Sequence, residues 1–435
     1  MNDLEEMRAE LRRTLERKGD ELGPLPPLRP GLDREVRRRE LRRSTAAVGW
    51  TVLVLVALGL VVRGLVPGGT VGPAAPTIAP QRVYVLEVAG DLRAFDVSAG
   101  GQPTQVWRAR PGGGGWYEDV VASPDGSRLF AVGAGGLTVL DAASGAVQAE
   151  ATFGEWAWRG VMLTGLNPTM AVSPDGSRVF VRVLPAGGEV VLDEAIATFD
   201  VGSGRFLPEA ASVTGCLPGD PVLPLGPSSL ALVCTSDGNE IRFLELSPTG
   251  GVSSEERLEL PSSTAGVEIP HLAEPLDLGP VAGAVSWPER GEILAVTREG
   301  EVFVVDVATR TLEARVRLDL PGFRVAWPAR VARVGEELVL GLQPVDFTGA
   351  DRATHLAVVD PSSFEVRAIS PADAWAFAPG IGGGPWLFLL DAPREGGLGV
   401  GVAALDPMSG DRVEVLPRTS LGGTKLGIVL AGPRP

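Results

Sequence analysis

Few side chains in this sequence combine the residue type and the spacing that metal binding or covalent catalysis requires. The chain has 435 residues but only two cysteines, Cys216 and Cys234, and two histidines, His271 and His355. No Cys-x-x-Cys pair occurs and the histidines lie far apart, so the pattern does not favour a zinc site. No Gly-x-Ser-x-Gly elbow or convergent Ser-His-Asp set is evident either. We predict no catalytic residue, no metal site and no cofactor.

Tryptophans with charged neighbours are the other candidates for function, as in the segments GGGGWYED and GEWAWRG. Aromatic rings next to charged groups are typical of ligand pockets and partner surfaces. The candidate ligand-binding residues are Trp116, Tyr117, Glu118, Asp119, Trp158, Arg159, Arg324, Trp327 and Trp375. The alternative is structural, with the tryptophan rings packed between neighbouring structural units.

Seven acidic residues recur along the chain, each at the end of a short alternating apolar segment. They are Asp96, Asp141, Asp200, Glu245, Asp306, Asp360 and Asp406. The steps between them are 45, 59, 45, 61, 54 and 46 residues. A turn rich in small residues follows, and a carboxylate in that position can accept hydrogen bonds from turn N–H groups. We therefore interpret these acids as structural rather than as a ring of ligands.

A turn sequence recurs with the same spacing. The segment from Ser123 to Arg128 reads SPDGSR before an apolar run, and the same six letters return at Ser173 to Arg178. Short strands separated by turns, with a period of roughly 40 to 60 residues, are typical of a β-propeller. The predicted second strands of the units lie near residues 82, 128, 178, 229, 292, 337 and 385.

The count of strands at the two ends of this array predicts how the ring closes. The first unit lacks a first strand, and the segment Leu426–Leu430 is a strand without a unit of its own. We predict that the C-terminal strand pairs into the first unit, which removes two open sheet edges. The fold class is therefore all-β, a seven-bladed β-propeller.

The SPDGSR turns, with the segments Leu129–Val132 and Val179–Val181 that follow them, resemble the YVTN-type and WD-repeat-like bacterial β-propellers. The resemblance extends over about residues 82–430 and implies the fold. It implies little about activity, because such propellers serve as binding platforms, enzyme scaffolds and sensors. The Trp-Asp and Gly-His pairs of true WD repeats do not occur.

The N-terminal part predicts a membrane anchor. Residues 1–44 are the predicted cytoplasmic tail, with a short amphipathic helix, a Pro-rich linker and an Arg-rich segment. That helix is either simply solvated or binds a cytoplasmic partner. Residues 45–66 include Ala46–Val62, 17 residues without a charge, and predict a single transmembrane helix. A buried globular helix and a cleaved signal peptide are the alternatives.

The arginines before residue 45 place the N-terminus in the cytoplasm by the positive-inside rule. Residues 67–80 are then a Pro/Gly stalk, and residues 81–435 form the propeller outside the cytoplasm in the cell envelope. Cys216 precedes the first strand of the fourth unit and Cys234 ends its second strand, so both lie at the same end of that unit. In an oxidising compartment we expect a disulfide between them, with two buried free thiols as the alternative.

The net charge of the predicted propeller limits the classes of partner that it can bind. The segment from residue 67 onward carries 26 basic and 44 acidic residues, a net charge of −18, which does not favour nucleic acid. We predict a non-enzymatic binding platform, held at the membrane by a single-pass anchor, for an extracytoplasmic protein, peptide or glycan. The alternatives are a transmembrane sensor that signals through residues 1–44 and a propeller hydrolase or quinoprotein-like enzyme.

Overall fold

All the described secondary structure is β-strand. The computed structural model describes residues 81–87, 90–97, 102–111, 117–133, 135–154, 156–157, 170–185, 193–216, 220–234, 239–261, 281–326, 331–345, 353–380, 386–391, 401–417 and 426–433. The predicted cytoplasmic tail, transmembrane helix and stalk lie outside these residues. Within the described ranges, no helix has the length and hydrophobicity to cross a bilayer.

The strands form seven blades. Blades 1 and 2 contain β1 (Gln81–Glu87), β2 (Leu92–Val97), β3 (Thr104–Ala109), β4 (Tyr117–Ala122), β5 (Arg128–Gly133), β6 (Gly136–Asp141) and β7 (Val147–Ala151). Blades 3 and 4 contain β8 (Trp156–Ala157), β9 (Met170–Val172), β10 (Arg178–Pro185), β11 (Asp193–Asp200), β12 (Arg205–Thr214), β13 (Val222–Pro224), β14 (Ser229–Cys234), β15 (Glu240–Leu246) and β16 (Val252–Glu259).

The remaining strands complete the ring. Blades 5 and 6 contain β17 (Val281–Trp287), β18 (Glu292–Thr297), β19 (Glu301–Asp306), β20 (Thr311–Arg317), β21 (Phe323–Val325), β22 (Val331–Val334), β23 (Glu337–Pro344), β24 (Ala353–Val359) and the first part of β25 (Val366–Pro379). Blade 7 contains the rest of β25, β26 (Leu387–Asp391), β27 (Val402–Leu405) and β28 (Arg412–Leu416), and β29 (Leu426–Pro433) returns to blade 1.

The C-terminal strand closes the ring as predicted. β29 pairs antiparallel with β1, from Gln81 opposite Pro433 to Glu87 opposite Leu426. Each blade contributes an inner strand, and these are β29, β4, β9, β13, β17, β22 and the second part of β25. Each inner strand contacts the next one around the ring, and β25 contacts β29. The seven-bladed propeller and its closure are confirmed.

Three inner strands have an unusual form. β25 pairs with β24 in its first part and with β26 in its second part, so one continuous strand of 14 residues joins blades 6 and 7. The inner strand of blade 3 is divided into β8 and β9, which both pair with β10. The inner strand of blade 6 is divided in the same way into β21 and β22, which both pair with β23.

Packing between blades explains the hydrophobic pattern. The middle strands are apolar on both faces, and β5 and β14 are buried at every position after the first. Each face of a blade packs on a neighbour: Phe130 and Val179 share one core cluster between blades 2 and 3. Outer strands have one face in water, and β20 alternates between exposed and partly buried residues. Full burial of a side chain such as that of Phe130 contributes about 1.5–3 kcal/mol.

Candidate ligand-binding face

The two ends of the propeller differ in the length of their connections. The strands of a blade alternate in direction, so every inner strand begins at one end, here called the upper end, and finishes at the lower end. The longest lower connection is residues 380–386 between β25 and β26. The upper end has longer connections. Residues 260–280 join β16 to β17, and residues 392–401 join β26 to β27. Because binding residues concentrate on long loops, the upper end is the candidate face.

The SPDGSR turns belong to the lower end and satisfy their own polar groups. The Ser123 hydroxyl donates to the Asp125 carboxylate, with Oγ and Oδ1 2.5 Å apart, and accepts from the backbone N–H of Arg128 at 3.0 Å. The hydrogen bond from Ser123, together with those from Ser127, holds the pKa of Asp125 below its ordinary value. The second turn repeats this arrangement at Ser173. These turns are structural.

The recurring acids also lie at the lower end, where they stabilise turns and neighbouring strands. Five of them accept a backbone N–H from the turn that follows, namely Asp141, Asp200, Asp306, Asp360 and Asp406. Asp96 forms an ion pair with Arg82 at 2.8 Å, and Glu245 forms one with Arg310 at 2.9 Å. Their partners support the structural interpretation of the sequence.

Three of the predicted ligand-binding residues begin β4 at the upper end of blade 2. Tyr117 and Asp119 are only 3% and 4% exposed, and Glu118 is half-buried. Burial raises the pKa of Tyr117. The Asp119 carboxylate accepts a hydrogen bond from the N–H of Val120 at 2.8 Å, beside its own backbone. Of the three, only Glu118 offers appreciable surface to a ligand.

The fourth described candidate, Arg324, lies in β21 at the upper end and belongs to an arginine pair. The carbonyl oxygen of Arg298, in the turn between β18 and β19, accepts a hydrogen bond from the N–H of Val325 at 2.9 Å. Burial lowers the pKa of Arg298, the Arg324 guanidinium lowers it further, and Glu299 raises it. The backbone bond from Val325 to Arg298 thus joins β21 of blade 6 to a turn of blade 5.

Two polar atoms of this turn are buried without a hydrogen-bond partner among the described residues. They are the Nε of Arg298 and the Oε2 of Glu299. A buried polar atom left in this state costs about 1–3 kcal/mol. The turn itself is fixed, because the Oγ1 of the fully buried Thr297 accepts a hydrogen bond from the N–H of Glu301 at 2.9 Å. The turn therefore holds one buried donor and one buried acceptor below the surface.

Residues of β21 and β23 form one face next to the arginine pair. Arg324 is paired with Gln343, and two residues further on the N–H of Val345 donates to the carbonyl of Gly322 at 3.1 Å. Side chains alternate along a strand, so Arg324, Gln343 and Val345 share a face. Gln343 is 2% exposed and Val345 is 59% exposed. An exposed apolar side chain therefore lies next to the charged group.

The predicted tryptophans lie mostly beyond the described ranges. Trp116, Trp158, Arg159 and Trp327 are outside them. Trp375 falls within β25, where blade 7 begins, rather than in a connecting loop. Trp158 and Trp327 belong to the segments that separate β8 from β9 and β21 from β22.

Cys216 and Cys234 are joined at the upper end of blade 4, with their Cα atoms 4.6 Å apart. Both are buried, and Asp220 is close enough to form a three-residue group with them. It is the one such His, Cys, Asp and Glu group with ligand atoms within reach of a shared metal among the described residues. Sulfurs bonded to each other are not the thiolates that bind zinc, so this donor set does not fit a metal while the disulfide is intact.

The comparisons with known proteins found similar solved structures but no protein family. No family model matches the chain, and no curated protein matches it. Among solved structures, the chain is similar to the dihydro-heme d1 dehydrogenase NirN in complex with DHE, with 14% identity, a TM-score of 0.44, and coverage of 82% of this chain and 77% of that one.

Two other solved structures have similar TM-scores. The hydrazine synthase of Kuenenia stuttgartiensis has 15% identity and a TM-score of 0.42, over 67% of this chain and 76% of that one. BamB from Moraxella catarrhalis has 15% identity and a TM-score of 0.41, over 80% of this chain and 84% of that one. The class that the strand topology defines is a β-propeller.

Proposed function

We propose that this chain is a membrane-anchored, extracytoplasmic β-propeller that binds a protein, peptide or glycan at its upper face and catalyses no reaction. The observation that carries the proposal is the difference between the two ends. The SPDGSR and Asp141 turns of the lower end bond their own polar groups. Buried side-chain atoms without a hydrogen-bond partner among the described residues occur at both ends, for example Glu337 Oε2 at the lower end and Arg298 Nε at the upper end, so the two ends differ in the length of their connections. The long connections are at the upper end.

The compartment follows from the N-terminal sequence. Residues 45–66 have the length and hydrophobicity of one membrane span, and the arginines before them favour a cytoplasmic N-terminus. The propeller then lies outside the cytoplasm, where a disulfide at Cys216 and Cys234 is stable. The acidic surface that this part of the chain carries would favour partners that are not polyanions.

Site-specific crosslinking in intact cells tests which face binds. Val345 at the upper end and Met408 at the lower end are both exposed apolar residues, 59% and 48% exposed, and so form a matched pair. A photo-crosslinking phenylalanine derivative replaces one of them in the full-length chain. We expect discrete crosslinked products from position 345 and none of the same size from position 408.

The same experiment can refute the proposal. Identical products from the two positions would show contact without a preferred face, and products from position 408 alone would move the binding face to the lower end. A crosslink pattern at position 345 that survives substitution of Arg298 and Glu118 would remove the upper polar groups from the interaction.

A further inference from the structure

We propose that the outer strand of blade 1, β3, binds an acidic segment of a partner protein, which adds to the blade as an extra strand beside Arg108 and Arg110. This inference rests on the proposed function and names the chemistry of the partner. The segment is extended and carries two carboxylate side chains at alternate positions. An anionic lipid surface is the competing class of partner, and the test below distinguishes it.

The backbone of β3 offers an edge for such pairing. The strand order in blade 1 is β29, β1, β2, β3, so β3 pairs only with β2 among the described strands. One face of β3 packs on blade 2 through the buried Trp107 and Ala109, and the other four residues of the strand are exposed. An edge of this kind can form a ladder with an extended segment, which is a general mode of peptide recognition.

A single buried carboxylate holds two exposed guanidinium groups together at the upper end of β3. Asp91 is 4% exposed, and its Oδ1 and Oδ2 accept hydrogen bonds from the Nε and Nη2 of Arg110 at 2.6 and 3.0 Å. The Nη2 of Arg108 forms an ion pair with the same Oδ2. The side chains of Arg108 and Arg110 remain 38% and 65% exposed, so a ligand can reach their outer N–H groups.

The charges at this end of blade 1 favour an acidic ligand. Glu87 forms an ion pair with Arg93 at 2.9 Å, so these two charges balance. Asp91 supplies one negative charge against the two positive charges of Arg108 and Arg110, which leaves a net charge of +1 at neutral pH. The propeller part of the chain is acidic overall, so a short acidic segment meets less repulsion here than a long polyanion does.

The spacing of the two arginines determines the spacing of the acids that they can bind. Arg108 and Arg110 are two residues apart, and alternate side chains of a strand lie on the same face, in agreement with their shared contact to Asp91. A segment paired with β3 also has alternate side chains on that face, so acids two residues apart lie across from the arginines. Val106 of the same strand is 41% exposed and can contact an apolar side chain of the segment.

The test measures binding of heptapeptides to the full-length chain in detergent by fluorescence anisotropy. The probe TTEVETT carries a neutral dye at its N-terminus and an amide at its C-terminus, so its two glutamates are its only charges. We expect the neutral peptide TTQVQTT to bind roughly 4- to 25-fold more weakly, because two cross-strand ion pairs are lost. The peptide TTEEVTT should bind with intermediate affinity, because neighbouring acids lie on opposite faces of a strand.

Three variants of the chain locate the binding site. Arg108→Gln and Arg110→Gln each leave Asp91 with one guanidinium partner, so both variants should fold. Each should weaken TTEVETT about 2- to 5-fold and leave TTQVQTT unchanged, since one ion pair is lost. Arg257→Gln is the control, because Arg257 is 54% exposed on the outer strand β16 and its described ion pairs are with acids of its own blade. It should bind TTEVETT like the unmodified chain.

Two N-methylated forms of TTEVETT test the strand addition itself. One form is methylated on the odd-numbered backbone nitrogens and the other on the even-numbered ones. The N–H groups of alternate residues point to the same edge of a strand, so each form blocks one edge of the peptide. Since one edge of the peptide pairs with β3, one form should lose binding and the other should keep it. Equal affinity of the two forms would overturn the inference.

The remaining outcomes also decide the question. Equal affinity of TTEVETT and TTQVQTT would overturn the inference, as would unchanged binding in both Arg108→Gln and Arg110→Gln or no peptide binding at millimolar concentration. Displacement of TTEVETT by phosphatidylglycerol added to the micelles, but not by phosphatidylcholine, would assign the arginines to an anionic lipid surface and overturn it too. The crosslinks at Val345 do not depend on the charge of the partner, so they decide the proposed function separately.

Discussion

Removal of the closing strand should unfold the whole propeller rather than loosen one end. Seven residue pairs join β1 and β29, from Gln81 to Glu87. An antiparallel ladder forms on average about one backbone hydrogen bond for each residue pair, so at about 0.5–1.5 kcal/mol net for each bond the ladder contributes roughly 4–10 kcal/mol. A domain of ordinary stability has about 5–15 kcal/mol in total. The deletion also opens an edge of β1, in which Val83 and Val85 are fully buried.

The assay compares thermal melts, followed by circular dichroism, of the full chain and of a chain that ends before Thr424. A chain that lacks only Arg434 and Pro435, which follow β29, is the matched control. We expect the control to melt like the full chain, and the longer deletion to melt far lower and to aggregate. A synthetic peptide of residues 424–435 added in trans should recover part of the loss. A monomeric deletion variant with an unchanged melt would refute the assigned closure.

Three further predictions concern the cysteines, the membrane topology and the half-buried carboxylate of Glu292. Mass spectrometry of the unreduced chain should show Cys216 joined to Cys234; with a separation of 18 residues the bond should contribute about 3 kcal/mol, and two alkylatable thiols would contradict it. A reporter at the C-terminus should be active outside the cytoplasm, and neutral residues in place of the arginines within 34–43 should weaken that orientation; a reporter active in the cytoplasm would contradict the topology. Burial raises the pKa of Glu292, so its charged form destabilises the fold above that pKa. Glu292→Gln should raise the melting temperature at pH 7, and the gain should shrink as pH falls through the raised pKa; an equal gain at pH 3 would contradict this cause.

Much of the fold could be predicted from the sequence, because the residues of a turn themselves determine its conformation. Ser-Pro-Asp-Gly fixes a turn by backbone preference and its own hydrogen bonds, so the strands that begin at Arg128 and Arg178 could be placed. β25 was harder to predict, because Pro371 lies in its middle and prolines usually interrupt strands. Its path across two blades is decided by pairing with β24 and β26, which are distant partners.

The candidate site was harder to predict from the sequence, because it too depends on contacts between distant residues. Arg298 and Glu299 read as an ordinary charged turn in the sequence, since neighbouring opposite charges on a surface turn need no explanation. They become notable only because β21 of the next blade brings Arg324 to the same place and buries part of the turn. The sequence offered only one signal, the position of the turn. Arg298 follows β18, the second strand of blade 5, just as Cys234 ends β14, the second strand of blade 4, so both lie at the upper end. Tyr117 and Asp119 show the converse, since polar residues at the start of an inner strand proved to be buried.

The pairing of the chain ends gives the propeller a direction of mechanical weakness. Gln81 and Pro433 lie opposite each other at the lower end of blade 1. A force that pulls these two residues apart acts across the strands and would break the bonds between β1 and β29 one after another. A force applied between Gln81 and Leu426, which lies at the other end of β29, acts along the strands and would load those bonds together. The ring should therefore withstand shear far better than it withstands peeling from its own termini.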